Sequence, residues 1–256
     1  MQEIASDRQS NIVLACDFPF ENPRFREKLL SRATRTLEAV SPYICSVKFN
    51  RHLVLPLGLF DGVQGLIEKV HEMGLLAIMD CKINDIGSTN QTIAQYYYAA
   101  GFDALTANPF AGWDEGLKPV FDVANRQNHG VILLLYMSHK GAKEGYEQTV
   151  YDSATGERLP QYVSFARKAL KWNADGVVVG ATYPEKIQRI HGLLGKKIPI
   201  FSPGVSTQGG TAESALNAGA SYLIVGRAIT LSGRQKEIAK RIRDVANQCK
   251  KPDLPS

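Results

Sequence analysis

Asp80-Cys81-Lys82-Ile83-Asn84-Asp85 sets two carboxylates and one ammonium close together, directly after the apolar run Leu75-Leu76-Ala77-Ile78-Met79. If that run is a buried strand, Asp80 and Lys82 lie two apart on an extended backbone and project to the same side, while Cys81 points the other way. Carboxylates on both sides of a lysine favour its ammonium form, which makes the group a proton donor or a fixed positive charge. Schiff-base chemistry needs the free amine, normally obtained by desolvation or a neighbouring cation, and this setting works against it. In an arbitrary loop, Asp-x-Lys is an ordinary surface salt bridge of little consequence. The place of this one in the chain gives it a different meaning.

Short apolar runs rich in branched residues recur along the sequence, separated by longer amphipathic stretches, as expected of βα units and a parallel sheet. The runs are Ile12 to Cys16, Cys45 to Phe49, Leu76 to Asp80, Ala104 to Ala107, Val131 to Tyr136, Gly176 to Val179, Pro199 to Ser202 and Tyr222 to Val225. Helical patterns fall between and after them, roughly over Pro23 to Val40, Asp61 to Met73, Ser88 to Ala100, Trp113 to Asn128, Pro160 to Trp172, Pro184 to Leu194, Thr211 to Ala218 and Arg234 to Cys249. Eight alternations over 256 residues predict an α/β chain folded as one (β/α)8 TIM barrel, a single domain spanning 1–256. A doubly wound open sheet is the competing architecture, but no G-x-G-x-x-G follows the first run and no Walker sequence occurs.

Composition narrows the class without naming a reaction. With 44% hydrophobic and 21% charged residues the chain can bury a full core. The longest apolar run, Val131 to Met137, is too short to span a bilayer, and no start region has the pattern of a signal peptide. A cytoplasmic location with no membrane partner is expected. Cys16, Cys45, Cys81 and Cys249 are scattered, with no Cys-x-x-Cys pair and no histidine at zinc spacing, so they read as reduced thiols and no metal site is predicted. Part of the net charge of +5 sits at Lys236, Lys240, Arg241, Arg243, Lys250 and Lys251, a solvated helix face and tail. No aromatic residues are interleaved there to stack bases, so nucleic acid is not a predicted partner.

In a barrel the chemistry sits where strands end and βα loops begin. Unusual polar residues collect at those points: Asp17 after the first run, Lys48 and Asn50 at the second, Asp80, Lys82 and Asp85 at the third, Ser138 and His139 after the fifth. Ser202-Pro203-Gly204-Val205 and Gln208-Gly209-Gly210 follow the seventh run, and Gly226-Arg227 ends the eighth. Loops after the last two strands are the recurrent phosphate site of such barrels, where glycines let backbone N–H groups approach the anion. Arg227 adds a permanently charged planar fork suited to phosphate oxygens.

Taken together, Asp80-x-Lys82-x-x-Asp85-Ile86 with Thr89, Met137-Ser138-His139, Ser202-Pro203-Gly204-Val205, Gln208-Gly209-Gly210 and Gly226-Arg227 resemble the orotidine 5′-phosphate decarboxylase family from Asp17 to about Ile229. The resemblance implies cofactor-independent decarboxylation of orotidine 5′-phosphate to uridine 5′-phosphate in pyrimidine biosynthesis, with Lys82 delivering the proton to C6 and Asp80 beside the substrate carboxylate. It further implies that Lys48 and Asp85 complete an alternating charge array, that Asp17 binds the ribose, that Ser138 reads the pyrimidine edge, that Pro203 and Gln208 belong to a closing loop, and that Gly226 and Arg227 hold the phosphate. Asp85, Ile86 and Thr89 would serve the neighbouring subunit, Thr89 toward the ribose, which predicts a two-fold homodimer with composite sites.

Lys140 to Leu159 is longer than in compact members of the family and reads as a polar surface excursion near the rim. Cys81 and Asn84 occupy variable motif positions, His52, His71, His129 and His191 look incidental, and Trp113 and Trp172 read as helix packing. Three alternatives stand beside the decarboxylase reading. A metal-dependent sugar-phosphate decarboxylase or aldolase on the same barrel needs a further acidic ligand at the rim, which the sequence does not supply. A non-catalytic phosphate-binding barrel fits a chain that has lost Asp80, Lys82 or Asp85, and none is lost. A PLP or flavin enzyme accounts for the phosphate loops but not for the setting of Lys82.

Overall fold

Side chains alternate inward and outward along a strand, so a closed sheet of short strands sorts its residues into an interior and a shell. The computed structural model describes residues 1–153, 155–205 and 211–249. Its strands are β1 (Ile12–Ala15), β2 (Ser46–Asn50), β3 (Leu76–Ile83), β4 (Ala104–Ala107), β5 (Gly130–Tyr136), β6 (Thr149–Asp152), β7 (Glu157–Pro160), β8 (Gly176–Val179), β9 (Ile200–Pro203) and β10 (Tyr222–Val225). Eight of them close into a barrel in the order β1-β10-β9-β8-β5-β4-β3-β2. Every pairing in it is parallel, with helices between successive strands, so the fold is a (β/α)8 barrel. β6 and β7 stand apart as an antiparallel hairpin.

The inward set packs Val13, Ala15, Ile78, Ile132, Leu134, Val178, Phe201, Tyr222 and Ile224 into the barrel axis. The alternating set, including Ile12, Leu14, Val47, Phe49, Ala77, Met79, Leu133 and Val177, faces the helices. Phe201 and Tyr222 stack at 4.8 Å, and Gly176 makes the room: a Cβ there would lie 2.6 Å from the Phe201 ring. The short helix Gln2–Asp7, which the sequence patterning did not predict, brings Met1, Ile4 and Ala5 against this interior group.

Elements depart from expectation where Pro and Gly interrupt the pattern. The stretch expected to be a helix from Asp61 begins earlier, as helix Arg51–Leu57 running through a wide turn at Gly58–Val63 into Gln64–Glu72. Pro56 and the left-handed Gly58 (φ +75°) read as breaks, yet Asn50 starts the first segment by accepting the Arg51 N–H at 2.7 Å. The Trp113 to Asn128 helix is kinked at Asp114 and Glu115, and Asn128 ends it in the left-handed conformation. Trp113 and Trp172 stack on each other at 5.2 Å, as packing residues.

The 140–159 excursion contains the helix Ala142–Tyr146 and the β6–β7 hairpin. Its anchors are side chains: Tyr136 Oη donates to Glu147 at 2.6 Å, Lys186 pairs with Glu147 at 2.9 Å, and Arg167 pairs with Asp152 at 3.0 Å. Among the described residues, no helix is long and apolar enough to cross a membrane.

Two ladders lose register near their C-terminal ends: β3 against β4 between Met79 and Ile83, and β5 against β8 between Leu134 and Tyr136. Such irregularities re-aim side chains. Both occur beside the cavity described next.

Candidate active site

Lys48 is the inward residue of β2, and its Nζ donates to Asp80 Oδ2 at 2.7 Å. Lys82 Nζ donates to the other oxygen, Oδ1, also at 2.7 Å. Asp80 and Lys82 therefore do meet on one side, as an extended strand predicts, but the backbone is not regular there. Lys82 has φ +49°, inside the β3 register shift, and its N–H is received by Thr106 Oγ1 at 2.9 Å. A left-handed lysine is strained. The Thr106 hydroxyl offsets this by accepting from Lys82 and donating to Asp80 Oδ1 at 2.9 Å. Cys81 turns away, its thiol directed to Thr106 O at 3.3 Å.

Burial alone would raise the Asp80 carboxyl, but the Lys48 and Lys82 charges and their hydrogen bonds win and hold it well below the usual carboxylate range. Burial likewise pulls the Lys48 ammonium down; Asp80, with help from Asp17, overcomes that and lifts it above the usual lysine value. The side chains of Lys48 and Asp80 are only 8% and 12% exposed, against 25% for Lys82. All three line the cavity, and Lys82 is the more exposed of its two ammonium groups. Burial, then Asp17, pushes the Cys16 thiol up to about 12, and burial, then Asp80, does the same to Cys81, so neither supplies a thiolate.

The array forms one end of a cavity of about 260 Å³. Of the residues expected at the site, Asp17, Lys48, Asp80, Lys82, Ser138, Pro203, Gly226 and Arg227 all line it. β9 stands diametrically opposite β3 in the strand order, so Pro203 and Gly204 line the cavity across the barrel mouth from the charge array. Gly226 lies close beside Asp17: a Cβ there would lie 2.8 Å from Asp17 Oδ2, so a larger residue would shift that carboxylate. Asp17 Oδ1 is buried with no hydrogen-bond partner among the described residues, an acceptor suited to a ligand hydroxyl. Leu134, Val178 and Ile224 give the cavity its apolar floor.

Asp85, Ile86 and Thr89 are not brought into this cavity. Asp85 is exposed and caps the Ile86 N–H at 2.7 Å, and it lines a neighbouring hollow that also touches Lys82. Ile86 is 65% exposed at the start of helix Gly87–Ala99. Gln208 lies outside the described residues. Thr106 was missed by sequence reasoning, although it is a polar residue near the end of the strand run Ala104-Leu105-Thr106-Ala107, the kind of position that marked Lys48 and Asp80. Among the described residues, no group of three or more His, Cys, Asp or Glu side chains is arranged to hold a metal ion. The oxygens of Asp80 are engaged by two ammonium groups and a hydroxyl, a setting for neutralising cations rather than ligating one.

A closed parallel barrel with a Lys–Asp–Lys array and a Gly-Arg turn lining one cavity at its mouth defines a (β/α)8-barrel enzyme. The chain belongs to the orotidine 5′-phosphate decarboxylase / HUMPS family, whose sequence model matches residues 10–242. The orotidine 5′-phosphate decarboxylase of Pyrococcus furiosus is 37% identical over 231 residues, 90% of this chain and 95% of its own length. That of Methanosarcina barkeri is 34% identical over 210 residues, 82% of this chain and 86% of its own. The crystal structure of the Methanocaldococcus jannaschii orotidine 5′-monophosphate decarboxylase, complexed with the inhibitor BMP, superposes with a TM-score of 0.77 at 30% identity, covering 93% of this chain and 99% of that one.

Proposed function

We propose that this chain is an orotidine-5′-phosphate decarboxylase, a carboxy-lyase that converts orotidine 5′-phosphate to uridine 5′-phosphate and CO2 in pyrimidine biosynthesis. Loss of CO2 from C6 leaves an electron pair in the plane of the ring, where the π-system cannot take it up. Stabilisation must come from a charge already in place. The observation that carries the reading is Lys82: of the two ammonium groups lining the cavity it is the more exposed, 25% against 8% for Lys48, and it is held 2.7 Å from Asp80. It stabilises the carbanion and then delivers its proton to C6. Lys48, the most buried of the three, stays paired to Asp80 as a fixed countercharge. Asp80, beside the substrate carboxylate, disfavours the bound ground state by like charge, an effect secondary to Lys82.

Gly226 and Arg227 take the phosphate, Asp17 the ribose and Ser138 the pyrimidine edge, while Pro203 and Gln208 belong to the loop that closes over the substrate. Binding energy gathered at the phosphate then organises a reacting centre across the barrel. Asp85, Ile86 and Thr89 complete the site of a second copy. Their position outside their own cavity supports a homodimer, as does the apolar surface around the same helix, where Tyr96 and Phe60 pack edge to face while 57% and 53% exposed.

Loss of orotidine 5′-phosphate absorbance, followed with and without a chelator, tests the reading. Equal turnover under both conditions is expected. A requirement for a divalent metal, or no turnover by well-folded protein, overturns it.

A further inference from the structure

At the end of β5 the ladder to β8 shifts register, and the chain leaving the sheet is taken up by the turn that follows β8, Gly180-Ala181-Thr182-Tyr183. Gly180 N–H donates to Tyr136 O at 2.9 Å. Thr182 Oγ1 donates to Ser138 O at 3.0 Å, and Tyr183 Oη donates to His139 O at 3.0 Å. Three points of one turn therefore grip a four-residue stretch of another. Gly180 is where the two backbones meet: a Cβ there would lie 2.6 Å from Ser138 Cα and 2.9 Å from Ser138 N.

The grip is itself braced. The Tyr183 ring packs on Tyr136 at 5.0 Å, and Tyr136 is tied through Glu147 to Lys186, on the helix that follows the turn. The stretch so held carries Ser138 and His139 into the cavity. In the strand order β5 lies between β9 and β3, hence between the anion-binding end and Lys82. β1 is the other strand midway between them, and Asp17 at its end is assigned to the ribose, which leaves the end of β5 for the base.

We propose that the turn after β8 is a clamp that sets the fit of the substrate's base, with Thr182 and Tyr183 as positioning residues acting through Ser138 and His139. The proposal rests on the reading of the cavity as an orotidine 5′-phosphate site. Neither hydroxyl touches the ligand; each fixes a carbonyl of the loop that does. Loss of one such bond corresponds to about a three- to tenfold weaker complex.

The test compares two ligands by titration calorimetry: uridine 5′-phosphate, which fills the base region, and ribose 5-phosphate, which lacks a base. Thr182→Val and Tyr183→Phe are expected to weaken uridine 5′-phosphate by about three- to tenfold and to leave ribose 5-phosphate unchanged, while Thr182→Ser retains the wild-type ratio. Equal weakening of both ligands, or no change in either, overturns the clamp. Wild-type protein that binds uridine 5′-phosphate no better than ribose 5-phosphate overturns the functional reading on which it rests.

Discussion

Thr106 Oγ1 donates its hydrogen to Asp80 Oδ1 at 2.9 Å and itself accepts the Lys82 backbone N–H at 2.9 Å. One side chain from β4 thus supports both the carboxylate of the array and the strained backbone that delivers its cation. Thr106→Val keeps the shape and removes both bonds. We expect stability to fall by about 1–3 kcal/mol, the cost of leaving buried partners unmet, with kcat lowered by roughly tenfold or more and Thr106→Ser retaining most of both. Denaturation and steady-state kinetics on the two variants decide it.

Removing the Lys82 ammonium should remove the reaction while leaving the barrel intact. Lys82→Ala is expected to lower kcat/KM by about ten-thousand-fold or more, since electrostatic stabilisation and the proton donor go together. Circular dichroism should be unchanged. Residual activity within tenfold of wild type contradicts the role given to Lys82.

Asp80 couples activity to stability. Its carboxyl is held below the usual range, so its contribution is full above the unfolded pKa of about 4 and is lost as pH falls through the lower folded value. Lys48 is lifted, so its contribution holds below the ordinary lysine value and is lost only as pH rises past it. Asp80→Asn leaves Lys48 buried without its carboxylate and should cost about 3–5 kcal/mol near neutrality. That difference from wild type should shrink below about pH 4 in denaturant titrations. A gap that stays constant down to pH 2 rules the coupling out.

Gly226 and Arg227 make a separable prediction at the other end of the cavity. Gly226→Ala places a Cβ 2.8 Å from Asp17 Oδ2 and must displace one of the two. Arg227→Lys removes the planar fork but keeps the charge. Both should raise KM by about tenfold or more, each losing charge-assisted contacts to the phosphate or ribose. Unaltered KM in both variants contradicts a phosphate site at this turn.

Subunit mixing addresses Asp85. Alone, Lys82→Ala and Asp85→Ala proteins should each be nearly inactive; after exchange, about a quarter of all sites should carry neither lesion if sites are composite across a two-fold dimer. Recovered activity should approach that fraction. No recovery after exchange is verified by mass excludes the composite arrangement.

Strand-by-strand alternation was legible in the sequence because each strand buries a run of branched residues, and the barrel follows from repeating that signal eight times. The strand-end places of Lys48 and Asp80, the shared side of Asp80 and Lys82, and the glycine-arginine turn after the last strand were legible for the same local reason. Less visible were helix Gln2–Asp7, too short to show a period, and the break around Pro56 and Gly58, which is bridged by the wide turn rather than left as a loop.

Residue types and their spacing by themselves determined the barrel and the chemical character of its rim. The tertiary structure alone decided that β3 shifts register at Asp80–Lys82, that Lys82 takes a left-handed backbone, that Thr106 supports both, and that Asp85 lines a neighbouring hollow rather than the cavity. The reason is physical. Alternation along a strand is a short-range property of the chain, whereas a register shift depends on what the neighbouring strand offers, and Thr106 is 24 residues from the N–H it accepts.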